Sequence, residues 1–371
     1  MSHGRNYSLF ARGNYFFLPI FGIGEFPLCY ADLVEKAPKK SAIDKIVRNV
    51  SENPEDLKTK IQSGIERVFE IQNLPKMLEN EREKTPEEMR IIGLINDLTN
   101  ELRRNSGLQN FDIPPKNIHI IRAGKWPTLK NGTRWAEQAE AFANIDEGAC
   151  YVPEDESRVM FAVSLLHEVL HLKSYNALQL LVKEGSKAAP KAVLKAPYRT
   201  GLQIHPLDHT KRRLNALNEA VTEELVKRMS LEMLKDPVFA SEMEDDRKIR
   251  SLSDLRDSTG RPHQFSRDTY HVSVKSVVAD ARGQTGTLVE RKFSNISERR
   301  GLLMLADKLF VRNRKIFKTR DDVFQMFVRA FMSGNILPLR IIDRTFKKGT
   351  LKQIADIEAD SDAFEQYVKK L

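Results

Sequence analysis

Apolar and polar residues alternate along this chain in three regimes. From Ser41 to about Asn105 apolar positions recur at helical spacing among many charges. Ser41-Ala42-Ile43-Asp44, Asn53-Pro54-Glu55-Asp56 and Thr85-Pro86-Glu87-Glu88 each read as a helix start, with Pro or acid in the first turn. Pro114-Pro115 then punctuates a change of pattern, and Lys116 to Arg122, with Ile118, Ile120 and Ile121, reads as a strand. Two short apolar runs, Glu140 to Ile145 and Ala149 to Val152, flank Asp146-Glu147-Gly148 and predict a β-hairpin. Glu154-Asp155-Glu156-Ser157 supplies carboxylates and a cap for the next helix, an apolar run from Val159 to Leu181 without Pro or Gly.

Glu184 to Thr210, with Pro190, Pro197, Pro206, Gly185 and Gly201, reads as a loop or broken region. A second helix is expected from about Leu214 to Leu234. Farther on, Tyr270 to Val278 and Leu288 to Phe293 predict another hairpin, and the remainder to Leu371 is helical with breaks at Gly334 and Pro338. The fold class is therefore α+β and mostly helical, with a small mixed or antiparallel sheet of about three strands packed on the Val159 helix. Four regions are expected: a leader or extended segment at 1–40, a helical support at 41–110, a catalytic core at 111–235, and a basic, mainly helical domain at 236–371 carrying the hairpin at 270–293.

The helix from Val159 carries the candidate chemistry. His167-Glu168-Val169-Leu170-His171 is an H-E-x-x-H pentapeptide. Four residues is slightly more than one turn, so both imidazoles stand on one face and reach a single metal ion. Glu168 falls beside that ion, placed to take a proton from water. The second helix carries Asn218-Glu219-Ala220-Val221-Thr222-Glu223-Glu224. Two His and one Glu form a common catalytic zinc set, which makes Glu219 the third ligand, with Glu224 the alternative if the helix is rotated. Glu223, one turn after Glu219, can accept a hydrogen bond from the non-metal nitrogen of a ligand histidine. The hairpin strand Ala141-Phe142-Ala143-Asn144, if beside the metal, can bind an extended peptide through main-chain hydrogen bonds. In the Pro-rich region Tyr198 and His209 are the candidates for steadying an oxyanion.

The order of strand, hairpin, H-E-x-x-H helix and N-E-x-x-T-E helix, from about Asn117 to Leu234, resembles the gluzincins, the thermolysin-like zinc metallopeptidases, in a minimal form. The resemblance implies His167, His171 and Glu219 as ligands of one Zn2+, Glu168 as general base, Glu223 as support for a ligand histidine, and Ala141 to Asn144 as the edge that aligns a peptide or protein substrate. It covers about a third of the chain. The spacing from His171 to Glu219 is longer than in compact members, and the family's oxyanion His or Tyr has no clear counterpart.

Composition narrows the setting. Of 371 residues 41% are hydrophobic, enough for sizeable cores. Two cysteines, Cys29 and Cys150, form no disulfide scaffold and no metal-ligand pair. The most apolar window, Tyr15 to Tyr30, is interrupted by Pro19, Gly22, Gly24, Glu25 and Pro27, so no transmembrane helix is expected there. A cytoplasmic location is the expectation, with secretion the alternative. Net charge is +9, yet Arg291 to Lys352 alone holds sixteen Lys or Arg against five Asp or Glu. Such a stretch can face nucleic acid or an anionic membrane. A binding module with a structural or degenerate metal site is the rival reading, but structural zinc sites close their fourth position with Cys or His, and none stands at suitable spacing.

Overall fold

The capping residues in the sequence set the helix starts. In the computed structural model, which describes residues 15–19, 78–123, 125, 141–145, 148–155, 157–183, 192–205, 212–252, 261, 263–276, 286–359 and 362–371, helix α1 (Pro86–Asn105) begins with a full capping box. The Thr85 hydroxyl accepts from Glu88 N–H, and the Glu88 carboxylate accepts from Thr85 N–H. The expected starts near 41 and 53 lie outside the described residues. Helix α1 buries Ile91, Ile92, Ile95 and Thr99, spaced to form one stripe, and packs against α2 (Arg158–Lys173). Ser157 caps α2, accepting from Met160 N–H. A helix apolar on nearly every side must be covered on nearly every side, and α2 is covered by α1, the sheet and α3 (Asn215–Met233).

The sheet has three strands, β2 (Ile118–Ile121), β3 (Phe142–Asn144) and β4 (Ala149–Pro153), in the order β2-β4-β3. It is mixed: β2 runs parallel to β4, and β3 pairs antiparallel with it, Ala143 opposite Cys150. Period-two alternation divides the faces. Cys150 and Val152 join the main core with α2. Tyr151 points the other way, its ring stacked between Phe142 and His119 at centroid distances of 4.8 and 4.7 Å.

After α2 the chain departs from the expected pattern. The helix does not continue to Leu181 but ends at Lys173, and Glu184 to Thr210 is not simply loop. Strand β5 (Asn176–Lys183) pairs antiparallel with β6 (Ala192–Thr200), which turns into β7 (Gln203–Ile204), while β1 (Tyr15–Pro19), from the leader, adds to the far edge of β5. The stop signal is Asn176, whose Nδ2 donates to the carbonyls of His171, Leu172 and Ser174, groups that a continuing helix would have used itself.

The turn from β6 to β7 is tightly held. Gly201 has φ +57, and a Cβ there would lie 2.5 Å from the Phe331 ring and 2.6 Å from Asn218 Oδ1. Gly201→Ala combines a left-handed backbone with a clash against packed groups, so it is expected to destabilise the fold by about 3 kcal/mol, read as a lowered midpoint in urea. An unchanged midpoint would contradict this packing.

Beyond α3 the chain forms α4 (Ala240–Arg250), the hairpin β8 (Thr269–Ser276) and β9 (Gly286–Lys292), then α5 (Ile296–Arg312), α6 (Arg320–Ser333), α7 (Ile341–Thr345), α8 (Thr350–Ala355) and α9 (Ala363–Lys369). One continuous core runs from Ile91 through α2 and α3 to Phe327, Phe331 and Val368. The C-terminal helices are thus packed into the same core as the two motif helices. The fold is α+β and mostly helical. Among the described residues no helix is long and apolar enough to cross a membrane.

Candidate metal centre

Both ends of α2 are clamped. At its N-terminus Glu242 of α4 accepts from Ser157 Oγ at 2.6 Å and Arg158 N–H at 2.9 Å, a carboxylate on the positive end of the helix dipole. At its C-terminus Arg103 of α1 donates to the Lys173 carbonyl at 2.7 Å, and the fully buried Lys173 donates to Asn96 O and Asn100 Oδ1. Burial brings the Lys173 ammonium down to about 7.

Helix α3 is aimed by a strained entry. Leu214, buried and non-glycine, has φ +58, and its N–H donates to Ala355 O at 2.8 Å. Asn218, fully buried, accepts Leu202 N–H at 2.8 Å and Gln203 N–H at 3.3 Å through Oδ1, while its Nδ2 reaches Glu219 Oε1 at 3.3 Å. This residue, not singled out by the sequence reading, fixes the β6–β7 turn to the helix and leaves Glu219 Oε2 free to face the imidazoles. Its signal in the sequence was its place immediately before a ligand candidate.

The three expected ligands converge. His167 Nε2 and His171 Nε2 stand 2.9 Å apart, and Glu219 Oε2 is 3.7 Å from the first and 3.6 Å from the second. A triangle with these sides has a circumradius of about 2.0 Å, which matches Zn–N and Zn–O bond lengths of about 2.0–2.2 Å. Among the described residues this is the group of His, Cys, Asp or Glu side chains placed to hold a metal ion. Glu224, the alternative ligand, points elsewhere: it pairs with Arg228 at 2.9 Å and with the buried Arg299 of α5 at 3.4 Å.

Charge at the centre favours a cation. Glu223, buried, lies 2.8 Å from His167 Nδ1. An ionised carboxylate only accepts, so Nδ1 donates, and Nε2 presents a lone pair to the centre when the ring is in its neutral form. Burial alone lowers the His167 pKa, but the Glu223 hydrogen bond and the charges of Glu223, Glu168 and Glu219 lift it to about 10. Burial opposes ionisation of Glu219, yet His171 and His167 bring it to about 2. Three carboxylates around two imidazoles leave the pocket negative at neutral pH unless protons or a metal fill it. His171 Nδ1 is buried and has no hydrogen-bond partner among the described residues.

Glu168 sits beside the triangle. It is buried, and burial raises its pKa despite the nearby imidazoles. Its carboxylate accepts the backbone N–H of Ala143. That contact brings the edge strand to the Glu168 carboxylate, with Ala141 just before β3 and Phe142, Ala143 and Asn144 within it. Behind β3, Cys150 is a buried thiol whose pKa is raised by burial and by Glu168.

The oxyanion candidates are placed less completely. Tyr198 is not in a loop: it lies within β6 at the bulge where Ala177 pairs with Arg199 and Leu178 with Pro197, leaving Tyr198 as the extra residue. His209 lies outside the described residues. Arg199, from the same segment, is structural, its guanidinium donating to Gly201 O and Gly334 O. No family model matches the chain, and no curated protein and no solved structure matches it either.

Proposed function

We propose that this protein is a zinc-dependent peptidase of gluzincin type, holding one Zn2+ through His167, His171 and Glu219. The observation that carries the reading is the convergence of three ligand atoms on one point, with a buried carboxylate beside it and a strand edge hydrogen-bonded to that carboxylate. Zinc, when bound, supplies a Lewis acid that polarises the scissile carbonyl and acidifies water. The chain's own residues do the rest. Glu168 takes a proton from the attacking water and returns it to the leaving amine. The outer edge of β3 holds an extended peptide through main-chain hydrogen bonds, which brings its carbonyl past Glu168. Glu223 holds His167 in the tautomer that presents Nε2. Tyr198 and His209 are the groups to test as oxyanion donors.

Metal analysis of the purified protein is expected to find one zinc per chain. Cleavage of a peptide library is expected to disappear with a chelator and return with added zinc. A protein that neither contains nor takes up zinc, or that cleaves equally well in chelator, would overturn the assignment.

A further inference from the structure

The α5–α6 connection reads Arg312-Asn313-Arg314-Lys315-Ile316-Phe317-Lys318-Thr319-Arg320, five cations in nine residues with no acid. It is an ordered turn. The Asn313 carbonyl accepts Ile316 N–H at 2.8 Å and Phe317 N–H at 3.0 Å, Asn313 Nδ2 donates to Leu309 O and Thr345 Oγ1, and Phe317 is buried beneath it. A second basic turn, Arg344-Thr345-Phe346-Lys347-Lys348, lies against it through the Asn313–Thr345 bond and the Arg312 guanidinium 4.7 Å above the Phe346 ring. Arg320 is neutralised by Asp307. Arg314, Lys315, Lys318, Arg344, Lys347 and Lys348 are all exposed, and none has an ion-pair partner among the described residues. In their midst Ile316 is 65% exposed, more than any other large hydrophobic side chain described, and Val311 is 55% exposed.

We propose that this paired turn is a docking surface for an anionic phospholipid bilayer. Six unpaired cations complement a negatively charged headgroup layer, and an aliphatic side chain held out among them gains by entering the acyl boundary. Nucleic acid shares the charge but not the rest. Base stacking calls for exposed aromatic rings. Here Phe317 is buried, while Phe310 and Phe346 are half-buried under Arg314 and Arg312. An exposed isoleucine gains nothing against phosphates.

The test is co-sedimentation of the full-length protein with extruded vesicles of phosphatidylcholine alone or mixed with phosphatidylserine. Pelleting is expected only with the mixed vesicles, and to weaken as salt is raised. The triple variant Arg314→Gln, Lys315→Gln, Lys318→Gln should bind roughly 100-fold more weakly, at about fivefold per cation near a membrane surface. Ile316→Asn should bind roughly tenfold more weakly, for loss of one buried aliphatic side chain. All four positions are exposed, so unchanged zinc content and melting temperature confirm that the variants are folded. Failure to pellet with the mixed vesicles, or equal pelleting by the triple variant, would overturn the proposal. Wild-type affinity in Ile316→Asn, or tighter salt-sensitive retention of duplex DNA or RNA than of vesicles, would overturn it in favour of a polyanion.

Discussion

Glu168→Gln is expected to lower peptide hydrolysis by about 10²- to 10⁴-fold while leaving zinc content unchanged. The side chains are nearly isosteric, and the amide oxygen can still accept the Ala143 N–H that the carboxylate accepts now. What is lost is the ability to take a proton. Glu168 contributes no atom to the triangle of His167, His171 and Glu219, so metal affinity has no reason to fall. The effect should appear in kcat, with KM little changed, because the edge strand and the metal ligands remain. Atomic absorption and a fluorogenic peptide assay on the same sample separate the two quantities. Full activity in the variant would remove Glu168 from the mechanism; loss of zinc along with activity would mean that the carboxylate helps hold the ion.

The parts of this site legible in the sequence are those governed by local periodicity. Four-residue spacing placed His167 over His171, and the same spacing placed Glu223 one turn from Glu219, where it now meets His167 Nδ1. The hairpin turn at Gly148, with φ +65, and the Ser157 cap were likewise written in local residue types. What failed was the end of α2. Asn176-Ala177-Leu178-Gln179-Leu180-Leu181 prolongs an apolar run without Pro or Gly, and no alternation distinguishes it from helix. The break is made by one amide, Asn176, bonding three helix carbonyls, an interaction that composition does not announce. In β6, Pro197 suggested a loop, yet it sits at a bulge, where a strand tolerates a residue without N–H. Asn218 shows a third limit. Its value lies in bonds to Leu202 and Gln203, sixteen and fifteen residues away, and those exist only once β6 and β7 have turned back.

The choice between Glu219 and Glu224 was open in the sequence, and a pair of variants tests the assignment that the geometry favours. Glu219→Ala is expected to weaken zinc binding by on the order of 10²- to 10³-fold, since structural sites worth about 10–16 kcal/mol on four protein ligands average a few kcal/mol per ligand. The fold should persist without added metal, because Ala220, Val221 and Leu217 around it keep α3 in the core. Glu224→Ala is expected to do the reverse. It leaves the buried Arg299 guanidinium with Asp268 at 3.0 Å as its remaining carboxylate and frees Arg228 to Asp321 alone. Stranding part of a buried charge in this way should cost about 2–3 kcal/mol of stability, somewhat less than losing an only partner. Zinc content per folded chain should be unchanged. Equilibrium dialysis against zinc and a urea titration, run on both variants, give four readings. If Glu224→Ala lost the metal and Glu219→Ala kept it, helix α3 would be rotated by about 140° from the orientation described, and with it the face that presents Glu223 to His167.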